Sequence, residues 1–213
     1  MIRTRTALAV AAAAVVLSAC SSGDVPEEGA AAPTAGAPAA PSTPASPAGP
    51  FGPACATLPP QGEGSIAGMA DDPVVRAAGT TPLLTTLASA IGTANLVDAF
   101  NTAPDVTVLA PANTAFEAVP ADVLNPLLGD TPRLTALLTH HVIPGRLAPG
   151  ELGGTHTTLS GDQLTVEGAG ESFTVSADQT LAGATPATVV CGNLPTANAT
   201  VYVIDQVLTP PAA

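Results

Sequence analysis

The chain has 213 residues, 17 of them acidic, with five arginines, no lysine and no tryptophan, for a formal charge of −12. Such a surface excludes nucleic acid and anionic headgroups as partners, because no basic cluster is present to neutralise phosphates. The length leaves room for one domain of ordinary size after a leader and a linker, enough to bury roughly two-thirds of its unfolded surface.

Met1 to Arg5 carries two positive charges, and Ala7 to Leu17 is an unbroken apolar run. A permanent spanning helix needs about 20 apolar residues, so this run is too short, and residues 1–19 read as a secretory signal peptide. Leu17-Ser18-Ala19-Cys20 resembles a bacterial lipobox. That resemblance implies alkylation of the Cys20 thiol by a diacylglyceryl group, cleavage before Cys20 and acylation of the new N-terminus. Buried acyl chains contribute about 0.8 kcal/mol per methylene, and two chains anchor stably where one does not. The expectation is an exported protein, lipid-anchored at Cys20 to the outer face of the cell membrane and partly shed.

Residues 20–53 are dominated by Ala, Pro, Gly, Ser and Thr, as in Ala37-Pro38-Ala39-Ala40-Pro41. Proline removes backbone donors, and hardly any large side chain is available to bury, so the segment reads as a disordered tether reaching roughly 100 Å when extended. Its Ser and Thr residues are candidate sugar acceptors. Phe51 is its only aromatic residue. The folded domain is placed at residues 54–213.

With Cys20 assigned to the anchor, Cys55 and Cys191 remain. An even pair in an oxidising compartment reads as a disulfide. Free thiols or a metal site are the alternatives, although two isolated cysteines without a CxxC make a poor zinc site.

The first half of the domain reads helical. Asp71-Asp72-Pro73-Val74 places acids and a Pro at a helix start, and Thr81-Pro82 does the same with a Thr cap. Leu84, Leu87, Ala88 and Ile91 recur at helical spacing up to Gly92, and Leu96, Val97 and Phe100 continue the apolar face. Thr131-Pro132-Arg133 opens a further helix with Leu134, Leu137 and Leu138 on one side. The second half reads as strands: Val142-Ile143 up to Pro144-Gly145, a hairpin of Leu164–Val166 and Phe173–Val175 around Gly168-Ala169-Gly170, then Thr188–Cys191 and Val201–Ile204. A further short strand, Val106–Leu109, precedes them. Helices first and strands later argue for an α+β fold.

Three stretches carry a family resemblance. Val106-Thr107-Val108-Leu109-Ala110-Pro111-Ala112-Asn113-Thr114-Ala115-Phe116 resembles the first signature of the fasciclin family. Asn113 there reads as a helix N-cap and Phe116 as a core residue. Ala199-Thr200-Val201-Tyr202-Val203-Ile204-Asp205-Gln206-Val207-Leu208 resembles the second signature, and Thr139-His140-His141-Val142-Ile143-Pro144 the Tyr-His segment between them. Gly68-Met69-Ala70-Asp71-Asp72-Pro73-Val74 and Val190-Cys191-Gly192 are similar to segments of the mycobacterial secreted fasciclin antigens and their surface lipoprotein sibling, which also carry a disulfide like Cys55–Cys191. The resemblance implies a wedge of β-strands with several α-helices packed along one side, serving as an extracellular adhesion module. His140 stands where the family commonly has Tyr, so the integrin role linked to that region in animal members is not carried over.

No catalytic site is expected. His140 and His141 are adjacent on an expected strand, which points them to opposite faces and away from a shared metal ion. The expectation is one buried, hydrogen-bonded histidine, with the others, including His156, exposed. The sequence contains no nucleophile elbow, phosphate loop or HExxH motif. Asn198-Ala199-Thr200 fits an N-glycosylation pattern, but Asn198 reads better as a turn residue before the last strand. These readings give a cell-surface lipoprotein, without cofactor or metal, whose domain binds a protein or glycan partner at the envelope or extracellular matrix. The alternative is an envelope carrier or sensor of a small apolar ligand held between the helical layer and the sheet.

Overall fold

The computed structural model describes residues 49–210; the expected signal peptide, Cys20 and most of the expected tether lie outside the described residues. A 3-10 turn, Pro53–Thr57, leads into four short helices: α1 (Ile66–Asp71), α2 (Val74–Thr80), α3 (Thr85–Thr93) and α4 (Val97–Thr102). Strand β1 (Val106–Pro111) precedes α5 (Asn113–Glu117), α6 (Ala121–Gly129) and α7 (Thr131–His140). The chain then runs through β2 (Val142–Pro144), α8 (Pro149–Leu152), β3 (Gly154–Thr157), β4 (Gln163–Ala169), β5 (Ser172–Val175), β6 (Ala187–Pro195) and β7 (Ala199–Ile204).

The seven strands form one sheet in the order β2-β1-β7-β6-β5-β4-β3. β1 and β7 run parallel, with Val106 opposite Ala199 and Pro111 opposite Ile204, and every other neighbouring pair is antiparallel. Both strands of the parallel pair are buried at every residue. Alternation explains this: Ala199, Val201 and Val203 face the helices, whereas Tyr202 and Ile204 face a second core. The first core packs Met69, Leu87, Ile91, Phe100, Leu134 and Leu138 against that sheet face. The second packs Leu109, Ile143, Leu164, Phe173 and Leu208 around Tyr202. Each fully buried large side chain contributes roughly 1.5–3 kcal/mol. The sheet curls until its ends approach, where the Leu159 N–H, just past β3, donates to the Val142 carbonyl at 2.8 Å.

The α+β class is as expected, with three local differences. Thr81 does not cap α3; its hydroxyl donates to the Ala77 carbonyl at 2.6 Å and closes α2. Asn113 does not cap its own helix either. Its Oδ1 accepts from the Thr86 N–H at 2.9 Å, in the first turn of α3, and its Nδ2 donates to the Pro82 carbonyl. A side chain in the first family signature thus holds a helix that lies earlier in the chain. Finally, the folded part begins before residue 54. Phe51 is 5% exposed in the second core, because its ring is the one large apolar group in that stretch and the slot beside β6 is shaped to take it.

Asn198 is more than a turn residue. Its Oδ1 accepts from the Val74 N–H at 2.9 Å, and its Nδ2 donates to the Phe100 and Ala103 carbonyls at 2.8 and 2.9 Å. One amide therefore caps the start of α2 and the end of α4 while standing at the entrance to β7. Removing it strands one donor and two acceptors, each costing about 1–3 kcal/mol when left unpaired in a partly buried site. Asn198→Ala is expected to lower the unfolding free energy by about 3 kcal/mol in urea titrations. Arg146 ties the same end of the sheet: its guanidinium lies 3.0 Å from Asp105 and donates to the carbonyls of Thr196, Ala197 and Ala199.

Candidate functional site

The two adjacent histidines close helix α7 rather than sit on a strand. The helix that Thr131-Pro132 opens, capped by the Asp130 side chain on the Arg133 N–H, runs through His140, and the strand begins only at Val142. Both rings are buried, at 1% and 2% exposure, and lie edge to face with centroids 6.5 Å apart. The expectation of a single buried histidine is therefore corrected, and His156 is half-buried with its Nε2 2.8 Å from the Leu152 carbonyl.

His141 is fully committed. Its Nδ1 lies 2.8 Å from the Leu137 carbonyl and so carries the proton, while its Nε2 accepts from the Leu208 N–H at 3.0 Å. The neutral ring thereby joins α7 to the C-terminal segment. Burial pushes its pKa down to about 4, against a smaller upward pull from the Leu137 hydrogen bond. His140 faces the turn after β3, with Nδ1 3.6 Å from an Asp162 carboxylate oxygen. Burial also lowers its pKa, partly offset by Asp162. Asp162 in turn accepts from the Ser160 hydroxyl at 2.9 Å. In this arrangement the carboxylate lies between serine and imidazole, so the imidazole is not placed to take the serine's proton. Among the described residues, no group of three or more His, Cys, Asp or Glu side chains is placed to hold a metal ion.

The second constellation lies at the N-terminal entry. Cys55 and Cys191 form a disulfide with their Cα atoms 5.0 Å apart, closing a loop with a sequence separation of 136. Four residues earlier, Phe51 pairs with Gly192 as a two-residue β-bridge, the Phe51 N–H donating at 3.1 Å and its carbonyl accepting at 2.8 Å. The Phe51 ring lies 6.0 Å from the Phe173 ring and 6.3 Å from the Tyr202 ring. Gly192 has to be glycine, since a Cβ there would sit 2.4 Å from the ring's Cζ. Tyr202 donates to the Leu147 carbonyl at 2.9 Å, and burial raises its phenol pKa.

Two cavities bear on ligand binding. Between helices and sheet lies an apolar void of about 20 Å³ lined by Met69, Leu84, Phe100, Val108 and Val201, room for about one water molecule. A carrier role would require those layers to part. Beside Cys55 lies an open groove of about 510 Å³ lined by Leu58, Pro59, Pro60, Ile66 and Pro195.

The mixed sheet under a helical layer, with the two signature strands paired in parallel within it, defines the class of protein, and comparison agrees. A profile of the Fasciclin domain matches residues 82–210, and the chain belongs to the fasciclin family. It is 46% identical over 158 residues to the cell surface glycolipoprotein MPT83 of Mycobacterium tuberculosis, covering 72% of this chain and 67% of that one. It is 44% identical to the immunogenic protein MPB70 of Mycobacterium bovis, covering 72% and 77%. It is 32% identical to the protein sll1483 of Synechocystis, covering 65% and 73%. Among solved structures, a FAS1 domain pair from the insect cell adhesion molecule fasciclin I aligns with a TM-score of 0.47 and 24% identity, covering 62% of this chain and 47% of that one.

Proposed function

We propose that this fasciclin protein is lipid-anchored through Cys20 to the outer face of the cell membrane, and that its domain binds a protein or glycan partner at the envelope or extracellular matrix without catalysing a reaction. The observation that carries the reading is the coincidence of two features. Residues 1–19 read as a leader that precedes Cys20 in the lipobox-like Leu17-Ser18-Ala19-Cys20, and 158 residues of the chain are 46% identical to a protein named as a cell surface glycolipoprotein. The tether between Cys20 and Phe51 then holds the domain away from the bilayer. The test presents the oxidised, secreted chain to immobilised envelope and matrix fractions beside an unrelated acidic protein of equal charge. Saturable binding above that control supports the reading. Binding no stronger than the control to every fraction removes the adhesion role.

A further inference from the structure

β6 pairs with β7 along one edge, but on its other edge β5 reaches only Ala187 and Thr188. Beyond Thr188, Phe51 pairs with that edge at Gly192. The contact has the form of a bound peptide: two main-chain hydrogen bonds to Gly192 give affinity, and one aromatic side chain in an apolar slot gives selectivity. The residue after the aromatic is also restricted. Gly52 has φ of 102°, and a Cβ there would lie 2.4 Å from the Val190 carbonyl oxygen.

We propose that the β6 edge at Gly192, with the slot formed by Phe173 and Tyr202, is a binding site for an extended peptide segment carrying an aromatic residue followed by glycine; that Phe51-Gly52 is its resident occupant; and that the Cys55–Cys191 disulfide is the latch that keeps it there. The inference rests on the described geometry and is independent of the surface-adhesion reading. While the latch is closed, Phe51 stays within a few residues of a covalent fixed point, so an outside segment competes against a high effective concentration.

A dithiol opens the latch by thiol–disulfide exchange. Its thiolate attacks the Cys55 sulfur, forming a mixed disulfide while Cys191 leaves as a thiolate. The second thiol then displaces Cys55, so that the dithiol ends as a disulfide and the protein holds two protonated thiols. The geometry favours attack at Cys55, which borders the open groove, over the fully buried Cys191.

The test uses the exported chain carrying Cys20→Ser and a fluorescent peptide with the sequence of residues 48–54, beside the same peptide with Ala in place of its Phe. Fluorescence anisotropy is expected to show at least tenfold tighter binding of the Phe peptide after dithiothreitol treatment than before. A Phe51→Ala variant with the disulfide intact is expected to bind it at least tenfold more tightly than the oxidised parent, without reduction. If circular dichroism shows that the reduced chain unfolds, this variant decides alone. The proposal is overturned if the folded reduced chain or the variant fails to prefer the Phe peptide over the Ala peptide.

Discussion

Replacing both cysteines, as Cys55→Ala with Cys191→Ala, is expected to lower the unfolding free energy by about 4 kcal/mol and the midpoint temperature by about 8–16 °C. The bridge spans a sequence separation of 136, and loop entropy alone gives about 5 kcal/mol for a loop of that length, with measured values commonly somewhat lower. The effect lies mainly in the unfolded chain. It joins the entry segment to β6, so its loss frees almost the whole domain from a covalent ring. Urea titration separates this origin from a loss of native packing: the slope with denaturant should rise in the variant, because a more expanded unfolded state exposes more surface. An unchanged slope with a similar loss of midpoint would place the effect in the folded state instead.

Acidification is expected to cost nearly as much. The His141 pKa is about 4 in the folded protein against 6.5 as the ordinary value. The folded state thus resists a proton that the unfolded chain accepts readily. Stability is full above pH 6.5, falls as the pH drops below it, and levels off below about 4, a loss of about 3 kcal/mol between pH 7.5 and 4. His140 is displaced in the same direction and adds to the slope. The physical reason lies in the hydrogen bonds: a protonated His141 would turn Nε2 from an acceptor into a donor facing the Leu208 N–H, in a buried site. His141→Gln removes the titration and keeps an acceptor. It should cost about 1–2 kcal/mol at pH 7.5 through the lost Leu137 hydrogen bond, and should flatten the profile below pH 6.5. Urea midpoints at four pH values for parent and variant measure both effects, and parallel profiles would show that His141 is not the acid-sensitive group.

The fold was largely legible because local signals agreed with the tertiary arrangement. Thr131-Pro132 with Leu134, Leu137 and Leu138 marks a helix that forms as read, and Phe173-Thr174-Val175 pairs with β4 as the hairpin expected from Gly168-Ala169-Gly170. The misreadings fall where a short side chain serves a distant backbone. Asn113 and Asn198 look like local caps and turns, since Asn is suited to both, but their partners lie up to 31 and up to 124 residues away. The His140-His141 pair reads as strand because Val142-Ile143 follows, and nothing local marks the residue at which helix gives way to strand. His141 meets a partner 67 residues further on, a relation no periodicity encodes. Phe51 was the one site residue with a missed signal: a lone aromatic between Gly49-Pro50 and Gly52-Pro53, four residues before a bridged cysteine, has little reason to stand in a solvated tether.

Surface display through Cys20 is the claim on which the functional account depends. The most direct measurement follows the full chain and a Cys20→Ser variant in a related bacterial host, with membrane and medium fractions separated and the N-terminal peptide analysed by mass spectrometry. The account predicts parent protein in the membrane fraction, beginning at Cys20 with diacylglyceryl and acyl groups attached, and variant protein released into the medium. A parent recovered with its leader uncut inside the cell, or released beginning at an unmodified residue, would contradict it.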